Sequence, residues 1–154
     1  MSKPSLTIYY ATETGNAESL ARQAHERAVA EGRADAVVAN ISTLKPTDLE
    51  SSGLVIFVVS TWGDGEPPSD GCDFFYDLEK TALNLSSLRY AVLGLGDRDY
   101  SDFNGFARKL DERLTALGGK AILARAEADL DYEDTYNTWA DAVFPLIGET
   151  VAAS

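Results

Sequence analysis

Thr12-Glu13-Thr14-Gly15-Asn16-Ala17 sets hydroxyl, amide and small side chains between an apolar run and a helical pattern. A strand-to-helix turn of that kind leaves backbone N–H groups free at the positive end of the helix dipole, which suits an anion. It lacks the Gly-Lys-Ser/Thr ending that serves a triphosphate and magnesium. One terminal phosphate monoester, held by hydrogen bonds alone, is the better match. The same residues also fit a plain helix start, with Thr14 or Gly15 as the cap and Glu18 completing a capping box. A second stretch, Ser60-Thr61-Trp62-Gly63-Asp64-Gly65, sets one large aromatic among small residues. Trp62 there either covers something flat or packs on its own loop. A third stretch runs from Leu95 to Asn104 and carries Tyr100 in a similar setting. Neither Gly63-Asp64-Gly65 nor Gly94-Leu95-Gly96 extends to a dinucleotide fingerprint, because Pro68 and Asp99 hold the sixth positions. Together these are parts for a planar heterocycle bearing a single phosphate, with its ring between Trp62 and Tyr100.

These stretches need elements to bring them together. Leu6–Tyr10, Ala36–Asn40, Gly53–Val59, Arg89–Leu95 and Lys120–Arg125 read as strands. Gly53–Val59 and Arg89–Leu95 are apolar without alternation, as in strands covered on both faces. Helical spacing marks Ala17, Leu20, Ala21, Ala24 and Ala28, with Gly32 as the stop. A brief helix is expected around Pro46–Ser51. Asp70–Thr81 reads as a helix with Phe74, Phe75 and Leu78 inward, and Cys72 at or before its start. A further helix turns Phe106, Ala107, Leu110, Leu114 and Leu117 inward and ends at Gly118-Gly119. The last helix carries Tyr136, Trp139, Val143 and Ile147, and Pro145 is expected to kink it or end its regular part. His25 is expected at the surface of the first helix. Five alternations of strand and helix with short connections make a parallel sheet with helices on both faces. The loops after strands one, three, four and five then share one edge, where open α/β sheets bind ligands.

With 154 residues the chain is expected to form one domain, residues 1–154. The single cysteine excludes a disulfide framework or a cysteine-rich zinc site. No apolar window suits a signal peptide or a membrane span, so a cytoplasmic protein without membrane contact is expected. A net charge of −12 argues against nucleic acid and favours basic partner proteins.

The chain resembles the flavodoxin family over nearly its whole length. Thr12-Glu13-Thr14-Gly15-Asn16-Ala17-Glu18 is similar to the family's FMN phosphate loop. Ser60-Thr61-Trp62-Gly63-Asp64-Gly65 is similar to the loop over one flavin face. Leu95, Gly96, Asp97, Tyr100, Phe103 and Asn104 match the loop over the other. Gly65-Glu66-Pro67-Pro68 and Phe103-Asn104 look most like the FMN domains of diflavin reductases. The resemblance implies a three-layer, doubly wound, five-stranded parallel sheet in the order 2-1-3-4-5, with FMN as cofactor. It also implies that the Gly63 carbonyl turns towards flavin N5, a rotation least restricted at glycine. One departure is Arg125-Ala126-Glu127-Ala128-Asp129, where those relatives have an aspartate-rich segment. Glu127 is expected to take the aspartate's place at the flavin.

A ring stacked on both faces leaves no face for a nicotinamide but keeps an edge for single electrons. The expectation is a monomeric electron carrier, served by a separate flavodoxin-reductase-type donor and an acceptor whose surfaces are basic. The alternative is an NAD(P)H:quinone-type reductase on the same fold, which needs an open face. A third reading is a binding module that has lost FMN. Acidic residues crowd 61–80, 96–103 and 126–134, offset there only by Lys80 and Arg98. They would lower the potential of the reduced flavin and steer a basic partner, or simply keep the chain soluble.

Overall fold

The computed structural model describes residues 5–11, 16–30, 35–51, 54–60, 72–80, 83–86, 88–95, 105–123, 125–128 and 132–152. The strands are β1 (Ser5–Ala11), β2 (Asp35–Asn40), β3 (Leu54–Ser60), β4 (Arg89–Leu95), β5 (Lys120–Ala121) and β6 (Ala126–Ala128). The helices are α1 (Asn16–Ala30), α2 (Cys72–Lys80), α3 (Gly105–Ala116) and α4 (Tyr132–Ala152). The helix expected around Pro46–Ser51 is present as a 3-10 turn over those residues, and another covers Ile41–Thr43. Every strand pair is parallel, in the order β2-β1-β3-β4-β5, with β6 also beside β4. The expected order 2-1-3-4-5 is therefore the observed one.

Residues alternate across β3 between two cores. Leu54, Ile56 and Val58 face α1 and α4, whereas Val55, Phe57 and Val59 face α2 and α3. All six are at most 3% exposed. Burial on both faces is the reason the sequence shows no alternation there. The inward positions expected of the helices are buried in α1, in α2 and from Phe106 to Leu114 in α3, and Leu117 is partly buried. Helix α3 stops where Gly118 takes a φ of 106°. Gly119 N–H donates to the Leu114 carbonyl and Gly118 N–H to that of Thr115, at 2.9 and 3.0 Å. That pair of bonds is the Schellman arrangement, which requires a left-handed residue and so favours glycine.

Three expectations are corrected. The strand expected over Lys120–Arg125 is broken: β5 pairs with Arg89 and Tyr90, and β6 pairs with Leu93, Gly94 and Leu95. Both occupy the fifth position of the sheet, separated by a bend at Ile122 and Leu123. Arg125 stands just before β6, outside the ladder, and its guanidinium spans Asp111 and Glu127. Helix α4 continues through Pro145 to Ala152, so of the two expected effects of the proline, a kink or an end, the end does not occur. A proline removes one backbone donor, a loss that neighbouring turns carry. His25 is half-buried, not superficial, with Nε2 2.9 Å from the Ala36 carbonyl oxygen on β2. The expected stop at Gly32 lies outside the described residues.

Candidate functional site at the carboxyl edge of the sheet

Parallel register brings the strand ends to one edge. Ala11 pairs with Val59, Ser60 with Leu95, and Leu95 with Ala128. Three spacings of about 4.8 Å between β1, β3, β4 and β6 give an edge roughly 14 Å wide. Helix α1 starts at Asn16, five residues after β1 ends. Its first-turn N–H groups have no partner within the helix. Ala17, in that turn, is fully buried.

Among the expected site residues, Ala17 and Leu95 stand at this edge with buried side chains, Leu95 being 5% exposed. Asn16 and Ser60 stand there by backbone position. Glu127 is placed beside Gly94, on the strand next to Leu95. Thr12, Glu13, Thr14, Gly15, Thr61, Trp62, Gly63, Asp64, Gly65, Gly96, Asp97, Tyr100, Phe103 and Asn104 lie outside the described residues.

Ion pairs stand on the elements that flank the sheet. At the α1 end, Arg22 Nε and Nη2 lie 2.9 and 2.8 Å from Glu18 Oε2. The hydrogen bond and charge of Glu18, ahead of a smaller contribution from Tyr10, push the Arg22 pKa above its already high ordinary value. The Arg22 guanidinium carbon sits 6.0 Å from the centre of the Tyr10 ring. At the β6 end, Arg125 Nη1 lies 2.7 Å from Asp111 Oδ2 and Nη2 lies 3.2 Å from Glu127 Oε2. The Tyr90 hydroxyl donates to Asp111 Oδ1 at 2.6 Å and is 2.8 Å from Thr115 Oγ1. Burial first, then the hydrogen bond to the Asp111 carboxylate, push the Tyr90 pKa well above the usual tyrosine range. This cluster ties β4, α3 and β6 together. Sequence reasoning missed it: Arg125 and Glu127 fit strand alternation, and Asp111 is too distant in sequence to signal a partnership. The i, i+2 spacing of Arg125 and Glu127 was the available hint.

A doubly wound parallel sheet with a helix N-terminus beside several converging strand ends is the arrangement in which open α/β proteins bind ligands at the carboxyl edge. The flavodoxin family profile matches residues 8–139, and the chain belongs to that family. The sulfite reductase [NADPH] flavoprotein alpha-component of Bacillus subtilis is 36% identical over 150 residues, covering 97% of this chain and 25% of that protein. Its counterpart from Shewanella sp. (strain MR-7) is 40% identical over 150 residues, covering 94% and 25%. The chain thus spans about a quarter of the curated relatives it matches. Among solved structures, the flavodoxin of Streptococcus pneumoniae TIGR4 superposes with a TM-score of 0.77 at 27% identity, covering 96% of this chain and 97% of that one. Family membership makes FMN the cofactor. The described residues fit that cofactor: α1 offers N–H donors for a phosphate above a buried alanine, and the edge is wide enough for a tricyclic ring.

Proposed function

We propose that residues 1–154 form a single FMN-binding domain that passes single electrons from a separate NAD(P)H-dependent reductase to redox acceptor proteins. The observation that carries this is the convergence of β1, β3, β4, β6 and the α1 N-terminus on one edge. FMN supplies the electron chemistry when bound. Thr12, Glu13, Thr14, Gly15, Asn16 and Ala17 hold its phosphate through backbone and hydroxyl donors. Trp62 and Tyr100 flank the ring, with Ser60, Thr61, Gly63, Asp64 and Gly65 shaping one side. Leu95, Gly96, Asp97, Phe103 and Asn104 shape the other. Glu127 approaches the ring from β6. Stacking on both sides adds about 0.5–1.5 kcal/mol per aromatic pair and closes both faces to a nicotinamide.

The acidic residues near the edge steer a partner of basic surface. The designation of the relatives as NADPH-dependent supports NADPH as the ultimate electron source. No helix among the described residues is long and apolar enough to cross a membrane. The test follows flavin bleaching anaerobically with NADPH alone and with NADPH plus a flavodoxin-type reductase. Reduction is expected only with the reductase, at a rate that falls as salt rises. Asp64→Asn with Asp99→Asn should flatten the salt dependence. Rapid bleaching by NADPH alone would favour the quinone-reductase reading instead.

A further inference from the structure

The face of the sheet under α4 holds a cavity that FMN binding does not use. It lies between the first three turns of α4 and the bend joining β5 to β6. Its volume is about 390 Å³, within the range of small-molecule sites. Ala126, in its wall, pairs with Leu93, whereas Ala128 pairs with Leu95 at the carboxyl edge. The cavity therefore sits below that edge. Leu123, Ala126, Trp139 and Ala142 give it mainly apolar walls. Asp134, Thr135 and Thr138 supply its polar groups, and no basic residue lines it among the described residues. Asp134, Thr138 and Ala142 are exposed, so the cavity opens to solvent along α4.

Trp139 is 3% exposed, and its Nε1 is buried without a hydrogen-bond partner. It is the one such side-chain atom among the described residues. A buried indole N–H usually finds an acceptor, and leaving one unpaired is unfavourable. Phenylalanine would pack beside the Tyr136 ring, 6.2 Å away, without that cost. The cavity wall thus carries a donor for which the chain supplies no acceptor.

The rest of the lining narrows what could supply one. Apolar walls suit a flat ring system. The indole N–H calls for a carbonyl. The Asp134 carboxylate, in a chain of net charge −12, repels an anion and accepts from an N–H group. We infer that the cavity between α4 and β6 binds a neutral aromatic amide, whose carbonyl pairs with Trp139 Nε1 and whose N–H meets Asp134. The site is separate from that of FMN, and both are occupied together.

The test titrates the isotope-labelled, FMN-loaded full chain with naphthamide and follows its N–H resonances. The Trp139 indole signal, identified by its loss in Trp139→Phe, should move downfield and saturate below about 1 mM. Trp139→Phe should weaken binding about three- to tenfold, read from the backbone amides of Ala126 and Ala142. Ala142→Leu narrows the mouth of the cavity and should abolish binding, with flavin absorbance unchanged. Naphthoate, similar in shape but anionic, should bind at least about tenfold more weakly than naphthamide, and Asp134→Asn should narrow that gap. An unmoved Trp139 signal would overturn the proposal. So would a shift that survives Ala142→Leu, or one accompanied by release of FMN. Equal binding of naphthoate and naphthamide would overturn the assigned ligand class.

Discussion

Strand β3 and the β5/β6 pair sit two positions apart in one sheet and are held by different physics. The β3 side chains from Leu54 to Val59 are buried in two apolar cores. Lys120 and Ala121 of β5 are exposed, and β5 and β6 have two and three residues. What secures β6 beyond its ladder is the polar cluster of Arg125, Asp111, Tyr90 and Glu127. Burial acts on β3 without directional demands. The outer position depends on charge-assisted bonds whose geometry must be right. The carboxyl edge thus has a firm centre, at β1, β3 and β4, and a flank set by a few replaceable contacts.

The contrast can be broken from either side, with denaturant unfolding of the FMN-loaded protein as the measure. Phe57→Ala, in the centre, should cost about 3–5 kcal/mol, because nothing nearby can fill the space. Asp111→Ala, at the flank, should cost about 1–2 kcal/mol by removing one carboxylate acceptor from Arg125, which keeps Glu127, and from the Tyr90 hydroxyl, which keeps Thr115. If Asp111→Ala costs as much as Phe57→Ala, the flank is as firm as the centre and the contrast fails.

Tyr90→Phe should cost about 1 kcal/mol at neutral pH, and its larger value is as a pH probe. The raised Tyr90 pKa means that the fold favours the neutral phenol. An unfolded tyrosine ionises near about 10, so this contribution is intact below that pH. It is lost as pH climbs from there towards the folded value. Wild type should therefore lose stability above about pH 10, and Tyr90→Phe should lose it less steeply. Some slope should remain, because burial also raises the pKa of Tyr9 and Tyr136.

The centre was legible in the sequence because burial on two faces leaves a plain mark. The apolar run Arg89–Leu95 matches β4 at both ends. The spacing of Ala17, Leu20, Ala21, Ala24 and Ala28 matches the buried face of α1. Gly118-Gly119 marked the end of α3 because a left-handed residue is needed there. The flank was not legible. Strands of two and three residues show no period, and the partner of Arg125 lies 14 residues earlier in the chain. His25 was misplaced for the same reason: its contact is a backbone carbonyl on another element. At the candidate site, Ala17 and Leu95 followed from element boundaries. Trp62, Tyr100 and the loops around them rest on residue type and family resemblance, since they lie outside the described residues.

The central claim is that the carboxyl edge, and not another face of the sheet, holds FMN. Backbone amide resonances of the isotope-labelled chain, compared with and without FMN, test it directly. The account predicts the largest shifts at Asn16, Ala17, Glu18, Ser60, Gly94 and Leu95, with the opposite strand ends at Leu6, Leu54 and Arg89 nearly still. Shifts concentrated at Leu6, Leu54 and Arg89, or spread evenly over the sheet, would contradict it.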